Sequence, residues 1–174
     1  DLQVPLTITK VTQDGKELEV VHLGNAHFVQ LVKKQEIGNS ESIIVHYQGI
    51  PKEAINAPWD GGFSWKKDNN GNHFVATSCQ GLGASVWWPC KDHMYDEVEN
   101  MDISVTVPSN LMDISNGKLK EIVDHGATKT YHWTVKNPIN NYGVNVNIGD
   151  YAHFSEVYEG EKGALDMDYF VLKD

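Results

Sequence analysis

At 174 residues, 40% of them hydrophobic and 22% charged, the chain is long enough for one ordinary domain with its own core, and its composition is globular rather than disordered. A formal net charge of −10 with no basic stripe speaks against a nucleic-acid partner. No apolar run approaches the ~20 residues of a bilayer-spanning helix, and the opening DLQVPLTITK lacks the basic start and apolar stretch of a signal peptide.

Period two dominates the chain. Leu2, Val4, Leu6 and Ile8 predict a first strand with one buried face. Asp14-Gly15 follows as the strongest hairpin signal, because a type I′ turn needs positive φ at both central residues. Further turns are expected at Asn39-Ser40 and across Asp68 to Asn72. Asp96 to Met101 could form one helical turn; no other segment has helical spacing. Met101, Ile103, Val105 and Val107 then alternate with Asp102, Ser104 and Thr106. Tyr131, Trp133 and Val135 alternate with His132, Thr134 and Lys136, and Val144, Val146 and Ile148 do the same against Asn145 and Asn147. Turn residues separate these runs at Pro108 to Asn110, Asn116-Gly117 and His125-Gly126. Many short strands punctuated this way predict one all-β domain over residues 1–174, an antiparallel sandwich or layered sheets.

Catalytic motifs are absent from the sequence: there is no His-Glu-x-x-His, no Gly-rich phosphate loop and no Gly-x-Ser-x-Gly elbow. The eight histidines are scattered, with His46 and His132 on polar strand faces and His93 in a loop. Asp96 and Glu97 read as a solvated loop pair. The densest stretch is TSCQGLGASVWWPCKDH, Thr77 to His93. Cys79 and Cys90 within it could bridge, but buried free thiols are the commoner state of such a pair. With only His93 close by, they do not make a zinc site. Trp87 and Trp88 are expected to point to opposite sides of a strand. With Trp59 and Trp65 they could otherwise form an indole platform for sugar faces.

The order HYQGIP (His46 to Pro51), PWDGGFSW (Pro58 to Trp65), FVATSCQGLGASVWWPCKDH (Phe74 to His93) and VTVPSNLMDISNGKL (Val105 to Leu119) resembles the amino-terminal domain of the M1-family zinc aminopeptidases, such as aminopeptidase N. The match covers roughly Ile43 to Asp150. It implies a saddle-like β domain packed against a separate catalytic domain. It also implies that this chain is a piece, without the family's opening strands and without its zinc motif. Zinc would then belong to the parent enzyme and not to this fragment. Gln80 matches the residue that reaches from this domain into the substrate cleft to hold the free amino group of a peptide. Gly81 and Gly83 would keep the neighbouring backbone slim, and Cys90 and Asp92 fall in the Pro-Cys-x-Asp turn, with Asp92 structural. The expected partners are the parent's own catalytic domain and a peptide amino terminus. Self-association through strand edges left open is expected too, at Leu2 to Ile8 and at Ile43 to Tyr47 or Val144 to Ile148. The alternative from another class is a stand-alone β-sandwich binding module that uses exposed tryptophans.

Overall fold

The computed structural model describes residues 1–173, and nearly all of its regular secondary structure is strand. In chain order these are β1 (Thr7–Gln13), β2 (Lys16–Glu17), β3 (Val20–Leu23), β4 (Ala26–Val29), β5 (Ile44–Gln48), β6 (Gly62–Lys67), β7 (His73–Ser78) and β8 (Glu97–Val98). The second half adds β9 (Met101–Pro108), β10 (Met112–Ser115), β11 (Lys118–Asp124), β12 (Thr128–Val135), β13 (Ile139–Asn140), β14 (Val146–Gly149), β15 (Tyr151–Gly160) and β16 (Gly163–Leu172). Among the described residues the helical content is two single turns of 3₁₀ helix, Ala84–Val86 and Asn141–Gly143. The ladders β1-β2, β1-β5, β3-β4, β7-β14, β8-β13, β9-β12, β10-β14, β11-β12 and β15-β16 are antiparallel, and the fold is all-β as the sequence predicts.

The chain divides into two compact units. The first holds residues 1–64, 77–99 and 138–144. Its sheet runs β2-β1-β5, and the small hairpin β3-β4 and the pair β13-β8 accompany it. Asp14 (φ 50°) and Gly15 (φ 76°) form the expected tight turn, which sets Gln13 opposite Lys16. Leu2, Leu6, Val11, Ala54 and Val86 are buried in this unit.

The second unit holds, among the described residues, 65–76, 100–137 and 145–173. Here β12 lies between β11 and β9, and alternate residues Val107, Tyr131 and Trp133 join Leu111 in a buried cluster. The opposite face of that ladder is polar: Ser104 Oγ meets His132 Nδ1 at 2.8 Å, and the hydroxyls of Thr106 and Thr130 pair at 2.8 Å. The longest hairpin, β15-β16, keeps register from Tyr151 opposite Leu172 to Gly160 opposite Gly163.

Four sequence expectations are corrected. The first strand starts at Thr7 and not at Leu2: the chain turns at Gln3–Leu6, where Leu6 N–H bonds to Gln3 O (3.1 Å) and Pro5 has no N–H to give a ladder. Leu2 and Leu6 are still buried and Val4 exposed, so alternation in burial here reflects a turn. The strand expected from Val144 starts at Val146, because Val144 closes the 3₁₀ turn before it. No helical turn forms over Asp96–Met101; Glu97–Val98 pairs with Ile139–Asn140. Trp87 and Trp88 do not alternate across a strand, for the reason given next.

Candidate functional site

The Thr77–His93 stretch and the segments that hold it lie within the first unit. Beyond the end of β7 the chain reverses in a tight turn: the N–H groups of Leu82 and Gly83 both bond to Cys79 O, at 3.2 and 2.8 Å. Cys79 is buried and Gln80, at the turn's tip, is exposed. Gly81 there has φ +72° with open space around it. Its role is conformational, since only glycine adopts this backbone without strain.

The single turn Ala84–Val86 is built around Asp92. One carboxylate oxygen accepts Ala84 N–H at 3.2 Å, and the other accepts Ser85 N–H at 3.1 Å and the Ser85 hydroxyl at 2.6 Å. Those N–H groups would otherwise be orphans at the start of the turn. The carboxylate sits so close to Gly83 (φ +83°) that a Cβ there would come within 2.3 Å of Asp92 Oδ2. The absence of a side chain at Gly83 thus makes room for the Asp92 carboxylate. Gln3 adds a further tie, with its amide donating to Leu82 O at 2.6 Å and to Ser85 Oγ at 2.9 Å.

This capped turn sends Trp87 and Trp88 onto an irregular path, with ring centroids 6.0 Å apart. Phe63 packs edge-on against Trp87 at 6.1 Å. Both indole N–H groups are buried without a conventional acceptor; Trp87 has only the weakly accepting Cys79 sulfur beside its own. Neither can offer its N–H to a sugar hydroxyl. Trp59, 76% exposed, is the open indole of this unit.

Cys79 and Cys90 are free thiols and do not bridge. Burial pushes the Cys90 thiol up to about 12, reinforced by the Asp92 charge, and burial likewise raises Cys79. Thiols held protonated this way are structural rather than nucleophilic.

A residue that sequence spacing did not flag completes the picture. Tyr142 donates its hydroxyl to Gln80 Oε1 at 2.6 Å. It sits in the 3₁₀ turn Asn141–Gly143, where the Asn140 side chain accepts Tyr142 N–H at 2.9 Å. That turn is fixed in place because Asn141 donates to Lys91 O at 2.6 Å and Asn140 donates to Met94 O. The Gln80 tip and the Pro89–His93 turn are thus bound to one support. Asn140 is a legible capping signal. The Tyr142–Gln80 contact spans 62 residues and had none.

No protein-family model matches the chain, and no curated protein does. Solved structures do. The M1 zinc metallopeptidase from Deinococcus radiodurans superposes with a TM-score of 0.80 at 18% identity, over 100% of this chain and 39% of its own. A variant of it bound to a Tyr-Ser-Ala substrate gives 0.81 at 17%, with the same coverage. A two-domain M1 zinc metallopeptidase variant bound to L-arginine also gives 0.81 at 17%. The chain has the fold of part of an M1 zinc metallopeptidase. At this identity the M1 likeness is one of fold, and the chain spans about two fifths (39%) of those proteins' length. Those M1 enzymes are named for zinc. Among the described residues no group of three or more His, Cys, Asp or Glu is placed to hold a metal ion. The described residues thus do not present the three protein ligands that a catalytic zinc takes.

Proposed function

We propose that this chain is a non-catalytic, amino-terminal part of an M1-type zinc aminopeptidase, and that Gln80 lines its substrate cleft and accepts a hydrogen bond from the free amino group of a peptide. The observation that carries the reading is the state of Gln80: an exposed side chain whose amide oxygen is held by Tyr142 at 2.6 Å. A carbonyl oxygen has two lone pairs, so one remains for an ammonium N–H. Holding the amide from behind reduces the rotamer entropy lost on binding. A neutral amide gives no counter-charge, and its bond to a charged group is worth about 1.5–3 kcal/mol. In this reading the catalytic domain of the longer protein is the chain's principal partner and supplies the zinc and the chemistry.

The test is Gln80→Ala in the longer enzyme, with kcat/KM measured on several amino-terminal substrates. The expected loss is roughly tenfold or somewhat more with the fold intact, from the value of one such bond. Unchanged kinetics across all of them would leave Gln80 a structural amide and sink the proposal.

A further inference from the structure

The hairpin β3-β4 carries a second arrangement, independent of the peptidase reading. His22 and His27 face each other across its ladder, either side of the Gly24-Asn25 turn. Their Nδ1 atoms are 2.6 Å apart, and the rings meet edge-on with centroids 4.6 Å apart. The Nε2 of His27 lies 3.2 Å from Leu2 O. A carbonyl can only accept, so that nitrogen carries the proton of a neutral His27, and the Nδ1 lone pair is turned towards His22. A backbone carbonyl holding the far N–H is the arrangement that orients metal-ligating histidines.

We propose that His22 and His27 chelate one divalent first-row transition-metal ion through their Nδ1 atoms, with water completing its shell. Two imidazole nitrogens at about 2.0–2.1 Å from a shared ion stand roughly 2.8–3.0 Å apart in cis octahedral and roughly 3.3–3.4 Å apart in tetrahedral geometry. The present separation of 2.6 Å therefore needs a relaxation of about half an ångström, within reach of two partly exposed rings. Imidazole suits Ni²⁺, Cu²⁺ and Zn²⁺. Ligation moves the Nδ1 proton of a neutral His22 to its Nε2, and because an imidazole ligates only when neutral, protons compete with the metal and binding weakens as pH falls. Two protein ligands fall short of a catalytic zinc site, so the ion's role is to brace. It would clamp the hairpin, and through His27 it would steady the segment whose Leu2 N–H bonds to Asn25 O (2.9 Å) and whose Gln3 N–H bonds to Ser85 O (2.9 Å).

The experiment titrates the chain with NiCl₂ by calorimetry in a non-coordinating buffer, alongside thermal unfolding with and without Ni²⁺. The expected result is one Ni²⁺ per chain, weaker at pH 5.5 than at pH 7.5, with unfolding shifted upward by the ion. His22→Phe, which keeps a ring at the hairpin, and His27→Ala should each weaken binding by about 10- to 100-fold or more, since loss of an outer-shell partner alone costs that much. His46→Ala should change nothing. The proposal is overturned if Ni²⁺ affinity and the thermal shift are the same in wild type and both variants. It is equally overturned if wild type binds only weakly at several sites, which would leave the two rings a hydrogen-bonded pair. Circular dichroism of each variant confirms that the comparison is between folded chains.

Discussion

The hydroxyl of Tyr142 and the amide oxygen of Gln80 meet at 2.6 Å, joining a 3₁₀ turn late in the first unit to the tip of the turn after β7. Both groups are exposed, so the bond costs little desolvation and is worth about 1 kcal/mol. Tyr142→Phe removes only the hydroxyl and should lower stability by no more than about 1 kcal/mol. In the longer enzyme it should lower kcat/KM by roughly fivefold, the factor that corresponds to about 1 kcal/mol. The Gln80→Ala, Tyr142→Phe double variant should then be no worse than Gln80→Ala alone. Fully additive losses would show that Tyr142 does not act through Gln80.

Gly81 and Gly83 separate two uses of glycine in one turn. Both have positive φ, +72° and +83°, but only Gly83 faces a carboxylate. Gly81→Ala should cost about 1 kcal/mol, the strain of a left-handed alanine. Gly83→Ala pays the same strain and also pushes Asp92 off three hydrogen bonds, for a total of roughly 3–4 kcal/mol. Urea unfolding of the two variants measures the gap, and equal values would contradict the geometry.

How much of this was legible follows from the range over which each signal acts. The Asp14-Gly15 hairpin and the alternation in β9 and β12 are local, and the structure has them. Leu2 to Leu6 shows where local reading fails: the burial pattern is right while the backbone turns, because alternation reports which side chains are inside and not the path between them. Trp87-Trp88 fails for a related reason. Asp92, distant by seven or eight residues, caps Ala84 and Ser85 and takes the chain out of extended conformation. The facing of His22 and His27 was open to inference from the two-residue Gly24-Asn25 turn, which sets them opposite each other. The Tyr142–Gln80 contact and the burial of Asp113 depend on tertiary packing and leave no short-range trace.

An open edge lies at β5. β14 is internal, between β10 and β7, so it cannot be the exposed strand; among the described residues β5 pairs only with β1, and Ile44 (60% exposed) lies along it. Such an edge offers unpaired N–H and C=O groups to a second strand. At high protein concentration in 0.15 M salt, where repulsion is screened beyond about 8 Å, weak self-association is expected. Sedimentation should show it weakened by Ile44→Lys, since an edge lysine opposes pairing. A strict monomer would mean the edge is protected.

Asp113 gives the second unit a pH-dependent stability. It is fully buried, its Oδ2 accepts Trp133 Nε1–H at 2.9 Å, and the Ser115 hydroxyl lies 3.3 Å from the same oxygen. Burial pushes its carboxyl up to about 7, against the lowering effect of those two donors. It borders a cavity of about 720 Å³ whose lining also includes Lys118, His153, Asp166 and Asp168. Lys118 is already paired with Asp166 at 3.0 Å and His153 with Asp168 at 2.7 Å. In the unfolded chain Asp113 titrates near the ordinary 3.8, so between about pH 4 and 7 the native state holds a proton that the unfolded state has lost. Its contribution to stability is therefore complete below about pH 4 and is lost as pH rises through about 7. A rise of that size amounts to at most roughly 4 kcal/mol. Asp113→Asn keeps an acceptor for Trp133 but has no proton to lose. Urea unfolding at pH 5 and pH 8 should show wild type less stable at pH 8 by up to a few kcal/mol, once the contributions of other groups cancel against the variant. The difference should shrink in Asp113→Asn; an identical pH dependence in both chains would show that Asp113 keeps its charge in the folded state.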